Sequence, residues 1–195
     1  MRKSPFPIDK IMLDAMTTLF TLFAALFAIT VMQSHAKSKP EASTALTGDI
    51  TISAQWDQGT DVDVDLWVQG PFDDRPVGYS RRADKQTSYL RDDTGSSNDF
   101  TDLNYEIACI RGLKPGRYIA NVHLFNNRGV PKTHVKVTAT LNPEGHVSEL
   151  MAVKEIVMAT DGEEVTAFSF VLDKDGDLVV GSTSDEFIPL RDGSK

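Results

Sequence analysis

Hydrophobic and polar positions divide the chain into two unlike parts. Residues 11–32 form one apolar stretch whose single charge is Asp14. From about residue 50 onward the apolar positions instead come in short alternating runs, the period of half-buried strands. Asp61-Val62-Asp63-Val64-Asp65-Leu66-Trp67-Val68 alternates strictly, so Val62, Val64, Leu66 and Val68 share one face, and Gly70-Pro71 ends the run. Further strands are predicted over Ile50–Trp56, Tyr105–Ile110, Arg117–Phe125, Thr133–Leu141, Ser148–Val157, Val165–Leu172 and Leu178–Val180, with Asp175-Gly176 as a hairpin turn between the last two. Strands at this spacing, without a long helical period, predict an antiparallel β-sandwich.

The apolar stretch predicts a transmembrane helix over 11–32. It would be about 33 Å long, enough for a hydrocarbon core of about 30 Å. Arg2, Lys3 and Lys10 precede it, which keeps the N-terminus cytoplasmic by the positive-inside bias. Pro5 and Pro7 suit the start of a helix but not its upstream continuation. A cleaved signal peptide is the rival, with Ser34-His35-Ala36 as a small-x-small cleavage site. The apolar run is longer than a signal peptide needs and carries a carboxylate in its first turns, so an uncleaved anchor is expected. The predicted organisation is a cytoplasmic N-terminus over 1–10, the span over 11–32, a polar linker over 33–47 and a mainly β, extracytoplasmic sandwich over 48–195.

Within the span, Asp14, Thr17, Thr18, Thr21, Ala24, Ala25 and Ala28 fall in one arc of about 120° at helical spacing. Leu, Phe and Met occupy the rest. Lipid is the same all round a plain anchor, so a small and polar stripe marks a face packed on other helices or lining a wet path. Asp14 heads the stripe, at a depth where a carboxylate costs about 2–3 kcal/mol. Snorkelling to the interface or pairing with Lys10 at i−4 is the structural alternative.

Asp14-Ala15-Met16-Thr17-Thr18-Leu19-Phe20, with Phe23 behind, resembles the Asp-x-Met-Thr opening of the membrane helix in flagellar stator B subunits, a group that also includes the ExbD and TolR proteins. The resemblance covers about residues 4–32. It implies an ion-motive-force-driven motor or transducer in which Asp14 relays protons or Na⁺ and Thr17, Thr18 and Thr21 line the path. It also implies partners: a homodimer of this chain inside a ring of five multi-span A-type subunits of the MotA, ExbB or TolQ kind, and an external target in the cell wall or on another protein. Pro5-Phe6-Pro7-Ile8-Asp9 is similar to the Pro-Phe-Ile-Asp of ExbD-like proteins, which would make Asp9 the carrier. Lys10 beside Asp9 and the greater depth of Asp14 favour Asp14. The flagellar subunits end in a peptidoglycan-binding domain whose helical period is missing here.

The outer region, through Trp56, Asp63-Val64-Asp65-Leu66-Trp67-Val68-x-Gly-Pro and Leu113-x-Pro-Gly-x-Tyr-x-Ala-x-Val, resembles YfaP-like β-sandwich domains and pre-peptidase C-terminal domains over roughly 50–141. That likeness implies a jelly-roll-like binding or spacing module in the periplasm, held at the bacterial inner membrane.

Composition narrows the chemistry. A formal charge of −8 in 195 residues argues against phosphate-backbone binding, so no nucleic-acid partner is expected. Cys109 is the single cysteine, so no intramolecular disulfide exists; a buried thiol is expected, with an intersubunit disulfide as the alternative. Asp61, Asp63 and Asp65 are read as sharing the solvent face of their strand. With Asp92, Asp93, Asp99 and Asp102 they could supply oxygen ligands to calcium. The other reading is a solvated acidic face offset by Arg81, Arg82 and Arg91. Asp173-Lys174-Asp175-Gly176-Asp177 is similar to part of an EF-hand loop, but Ser184 stands where the bidentate Glu belongs, so it reads as a turn. His35, His123, His134 and His146 are scattered and no catalytic motif occurs, so no enzyme is expected.

Overall fold

A computed structural model describes residues 8–35, 48–95, 103–142 and 148–191; for 8–10 and 28–35 it describes the backbone alone. Asp99, Asp102, His146 and most of the linker over 33–47 lie outside the described residues. The chain divides into two compact units, residues 1–44 and 45–195.

In the first unit, α1 (Ile8–His35) is one continuous α-helix of 28 residues, about 42 Å long. The expected membrane crossing is not met within the described residues, where no helix is long and apolar enough to cross. The Leu, Phe, Met and Ile side chains between Ile11 and Phe27 are all exposed.

The second unit is an antiparallel β-sandwich, as the alternation predicts. Its strands are β1 (Ile50–Trp56), β2 (Asp63–Gln69), β3 (Thr87–Arg91), β4 (Tyr105–Ile110), β5 (Gly116–Asn126), β6 (Thr133–Leu141), β7 (Glu149–Met158) and β8 (Glu164–Leu172). One sheet has the order β3-β4-β1-β6-β7 and the other β2-β5-β8. Among the described residues, sequence neighbours pair only in β3–β4 and β6–β7, and every other strand-to-strand connection passes between the sheets. Residues 178–180, expected as the last strand, contribute just one bridge, Leu172 to Leu178, closing the turn at Asp173–Asp177. Asp173 Oδ1 accepts the Asp175 and Asp177 N–H groups at 2.8 and 3.0 Å, which spends that carboxylate on its own turn.

The core is where period-2 alternation from both sheets meets. Ile50, Ile52, Ala54 and Trp56 of β1 face Val64, Leu66 and Val68 of β2, Tyr118, Ala120, Val122 and Leu124 of β5, and Phe168 and Phe170 of β8. Each fully buried aliphatic or aromatic side chain here contributes about 1.5–3 kcal/mol. Cys109 is wholly buried beside Thr51, and burial pushes its thiol up, so it is a small core residue.

Leu113-x-Pro-Gly-x-Tyr has a physical basis. Gly116 has φ 137°, and a Cβ there would lie 2.6 Å from Pro71 Cβ, so a side chain is excluded. Two residues on, Tyr118 stacks on Phe170 at 5.3 Å and turns its hydroxyl back to the chain. That hydroxyl donates to the Lys114 carbonyl at 2.8 Å and accepts the Lys114 N–H at 3.0 Å, fixing the entry to β5. Tyr118→Phe keeps the ring and loses both bonds. Denaturant unfolding should show a loss of about 1–2 kcal/mol with an unchanged m-value.

Candidate functional site

Two regions carry chemistry, one in each unit. On α1 the threonines of the expected stripe bond to the backbone of their own helix. The Thr17 hydroxyl donates to the Leu13 carbonyl at 2.7 Å and also meets the Asp14 carbonyl at 3.1 Å. Thr18 donates to the Asp14 carbonyl at 2.7 Å, and Thr21 to the Thr18 carbonyl at 2.9 Å. Each hydroxyl proton is thus spent on the helix itself, and the oxygen lone pairs remain to accept. Asp14, Thr17, Thr18 and Thr21 lie together on one exposed face.

In the sandwich, the expectation of an exposed Asp61–Asp63–Asp65 face is corrected. Asp61 is half-exposed and ion-paired with Arg128, but Asp63 and Asp65 are only 6% and 4% exposed. Distant segments close over that side of β2 and β5. Trp67 and Ile119 pack with Leu190 and Ile188, and Tyr79 meets the Trp67 ring edge-on at 5.4 Å. Asn121 donates to the Ile188 carbonyl at 2.8 Å, which ties the C-terminal segment down. Asp65 Oδ2 lies 2.8 Å from Nδ1 of the buried His123, its register partner on β5. Of the three arginines expected to balance these acids, Arg91 pairs with Asp93 at 2.9 Å and Arg82 reaches Asp92 at 3.7 Å, whereas Arg81 pairs with Asp73.

The residue that organises this region is Glu106. It shares the inward parity of Ala108 and Ile110 on β4, so a carboxylate enters the space between the sheets, fully buried. There it meets the edge of β2 that is paired with no other strand among the described residues. Glu106 Oε2 accepts the Leu66 N–H at 2.5 Å, and Oε1 accepts the Asp93 N–H at 3.3 Å. Farther along the same edge, Val68 and Val77 exchange backbone hydrogen bonds at 2.8 and 2.7 Å. Asp93 binds the Gly95 and Tyr105 N–H groups as well as Arg91. One carboxylate oxygen each from Asp65, Asp92 and Glu106 lies within 4.8 Å of the other two. The Tyr89 hydroxyl is buried close to Glu106, yet it closes no hydrogen bond of good geometry.

Crowded, desolvated carboxylates resist ionisation. Burial pushes Glu106 well above the usual carboxyl range; the neighbouring Tyr89 hydroxyl opposes this, the Asp65 charge adds to it, and the two backbone N–H donors oppose it. Burial, then the Asp65 charge, lifts Asp63 to about 7, against the pull of Arg128. Asp92 is also raised by burial, partly offset by Arg82. The Tyr89 phenol is driven up by burial and then by the Glu106 charge, so it remains a neutral hydroxyl.

Sequence reading did not single out Glu106. The available signal was its parity, a lone acid in line with Ala108 and Ile110. Tyr89 belongs to β3, a strand that the pattern analysis did not find.

Comparison with protein families, with curated proteins and with solved structures finds no match to this chain.

The raised Asp63 carboxyl sets a pH dependence. A folded-state pKa near 7 against about 3.9 unfolded means the folded protein holds more protons between those values. Stability is therefore full below about pH 4 and is lost as pH rises toward 7. In chelator-treated protein the unfolding midpoint should fall from about pH 5 to pH 7.5, and Asp63→Asn should flatten that slope. Asp73 and Asp173, held low by backbone N–H groups, and Asp185, held low by Lys154, act below this window. Equal slopes in the two proteins would count against the shift.

Proposed function

We propose that the chain is a single-pass subunit of an ion-motive-force-driven transducer, with Asp14 relaying protons or Na⁺ at the interface with a multi-span A-type subunit. The observation that carries this reading is the face formed by Asp14, Thr17, Thr18 and Thr21. Its hydroxyl protons are committed to backbone carbonyls, so it presents acceptors to anything that passes. Hydrated protons and Na⁺ need acceptors. The remaining faces are Leu, Phe and Met, all exposed over residues 11–27, which lipid and partner helices would cover. The helix backbone over Ile8–His35 is long enough to bed in a bilayer. The stator-like motif at Asp14–Phe20 supports the same assignment.

In this reading Arg2, Lys3 and Lys10 hold the N-terminus in the cytoplasm. The sandwich, a jelly-roll-like module by its sequence likeness, stands on the periplasmic side of the inner membrane and engages an external target. Two copies of α1 bring two acidic stripes together, and the A-type ring shields them from lipid. The second reading is a membrane-tethered binding module without ion transport. The buried acidic cluster around Glu106 favours it, because that site would operate whether or not Asp14 does.

Asp14→Asn separates the two. It keeps size and hydrogen bonding but cannot exchange a proton, so it should abolish rescue of a deletion strain at normal membrane levels by immunoblot. Asp14→Glu should retain part of the activity, and Asp9→Asn should cost much less. Full rescue by Asp14→Asn would leave the tethered binding module. Intact mass of membrane-extracted protein should also include residues 1–36; a mature N-terminus at Lys37 in a soluble fraction would remove the transducer reading.

A further inference from the structure

Glu106, Asp65 and Asp92 come from β4, β2 and the segment after β3, three separate stretches of chain, and present one oxygen each within 4.8 Å of the others. That spread is what a single ion about 2.4 Å from each oxygen requires. Three carboxylates are costly there without a compensating charge. Among the described residues the cationic partners of the three acids are modest: Arg82 Nη1 stands 3.7 Å from Asp92 on a half-exposed side chain, and His123 Nδ1 meets Asp65 at 2.8 Å. Arg91 is committed to Asp93 at 2.9 Å.

An independent observation comes from Tyr89. Its side chain is 4% exposed, and its hydroxyl is buried beside Glu106 without closing a hydrogen bond of good geometry. Buried hydroxyls are nearly always satisfied. This one lies beside Glu106 and within the field of Asp92 and Asp65.

We propose that Asp65, Asp92 and Glu106, with the Tyr89 hydroxyl as a fourth oxygen, hold one Ca²⁺ ion at the free edge of β2. The ligands are all hard oxygens, and the ion would neutralise most of their charge and satisfy Tyr89. Mg²⁺ demands a strict octahedron and keeps several waters, for which a buried set of four protein oxygens is a poor match. The ligand set differs from the Asp61–Asp63–Asp65 group that the sequence suggests: Asp61 is taken by Arg128, and Glu106 and Asp92 replace it and Asp63.

The test uses the full-length chain in mild detergent, stripped with EGTA at about pH 7.5 and titrated with CaCl₂ to about 5 mM, beyond the weakest extracellular Ca²⁺ modules. Calorimetry should give one ion per chain, and the unfolding midpoint should rise by several degrees. Asp92→Asn, at the partly exposed side of the cluster, should abolish the rise. Tyr89→Phe, which keeps the core ring, should weaken binding about tenfold or more, because affinity follows the ligand set. Should Asp92→Asn fold poorly, Tyr89→Phe alone decides. No heat and no shift with CaCl₂, a wild-type response in either folded variant, or an equal response to MgCl₂ would each overturn the assignment.

Discussion

A carboxylate inside the sandwich holds its two sheets in register. β2 is the outermost strand of the three-stranded sheet, so along one edge no other strand pairs with it among the described residues, and only Val77 bridges to it there. Glu106, reaching across from the five-stranded sheet, accepts the Leu66 N–H, and the same side chain fixes the start of the loop at Asp93. An apolar residue there would leave the Leu66 N–H buried and unsatisfied, at a cost of about 1–3 kcal/mol. The arrangement brings charge with it. Once Glu106 is buried, Asp65, Asp92 and Tyr89 become its neighbours, and the unusual electrostatics of the region follow from that placement.

Much of the fold was legible because alternation is a strong signal when one face is buried. β1, β4 and β6 fall where Ile50–Trp56, Tyr105–Ile110 and Thr133–Leu141 were predicted, and β2, β5, β7 and β8 differ only at their ends. β3 was not legible. Thr87-Ser88-Tyr89-Leu90-Arg91 offers Tyr89 and Leu90 as its large apolar residues, and they are adjacent, not alternating. Its strand character comes from pairing with β4.

The site was half legible for a related reason. The acids of β2 were visible, and so was their alternation, but alternation tells only that two faces differ. Which face meets water depends on segments elsewhere: Leu190 and Ile188 from the C-terminal end and Tyr79 from the loop after β2. On α1 the reverse holds. Residues on one helix face are local neighbours, so the grouping of Asp14 with Thr17, Thr18 and Thr21 was readable directly, whereas what covers that face is not a property of the helix.

The connectivity has a consequence for how the domain forms. Among the described residues two strand pairs, β3–β4 and β6–β7, join neighbours in sequence; β2 must wait for β5, and β5 for β8. Contacts this distant in sequence must meet their loop-closure entropy before packing rewards it, which places the domain among slow folders. During that wait Val62, Val64, Leu66 and Val68 form an exposed, β-prone apolar run. Asp61, Asp63 and Asp65 are interleaved with it, and in the unfolded chain they are fully charged. Like charges at every second position repel a second copy of the same segment, so these aspartates act as gatekeepers against aggregation before they take up their places in the finished fold.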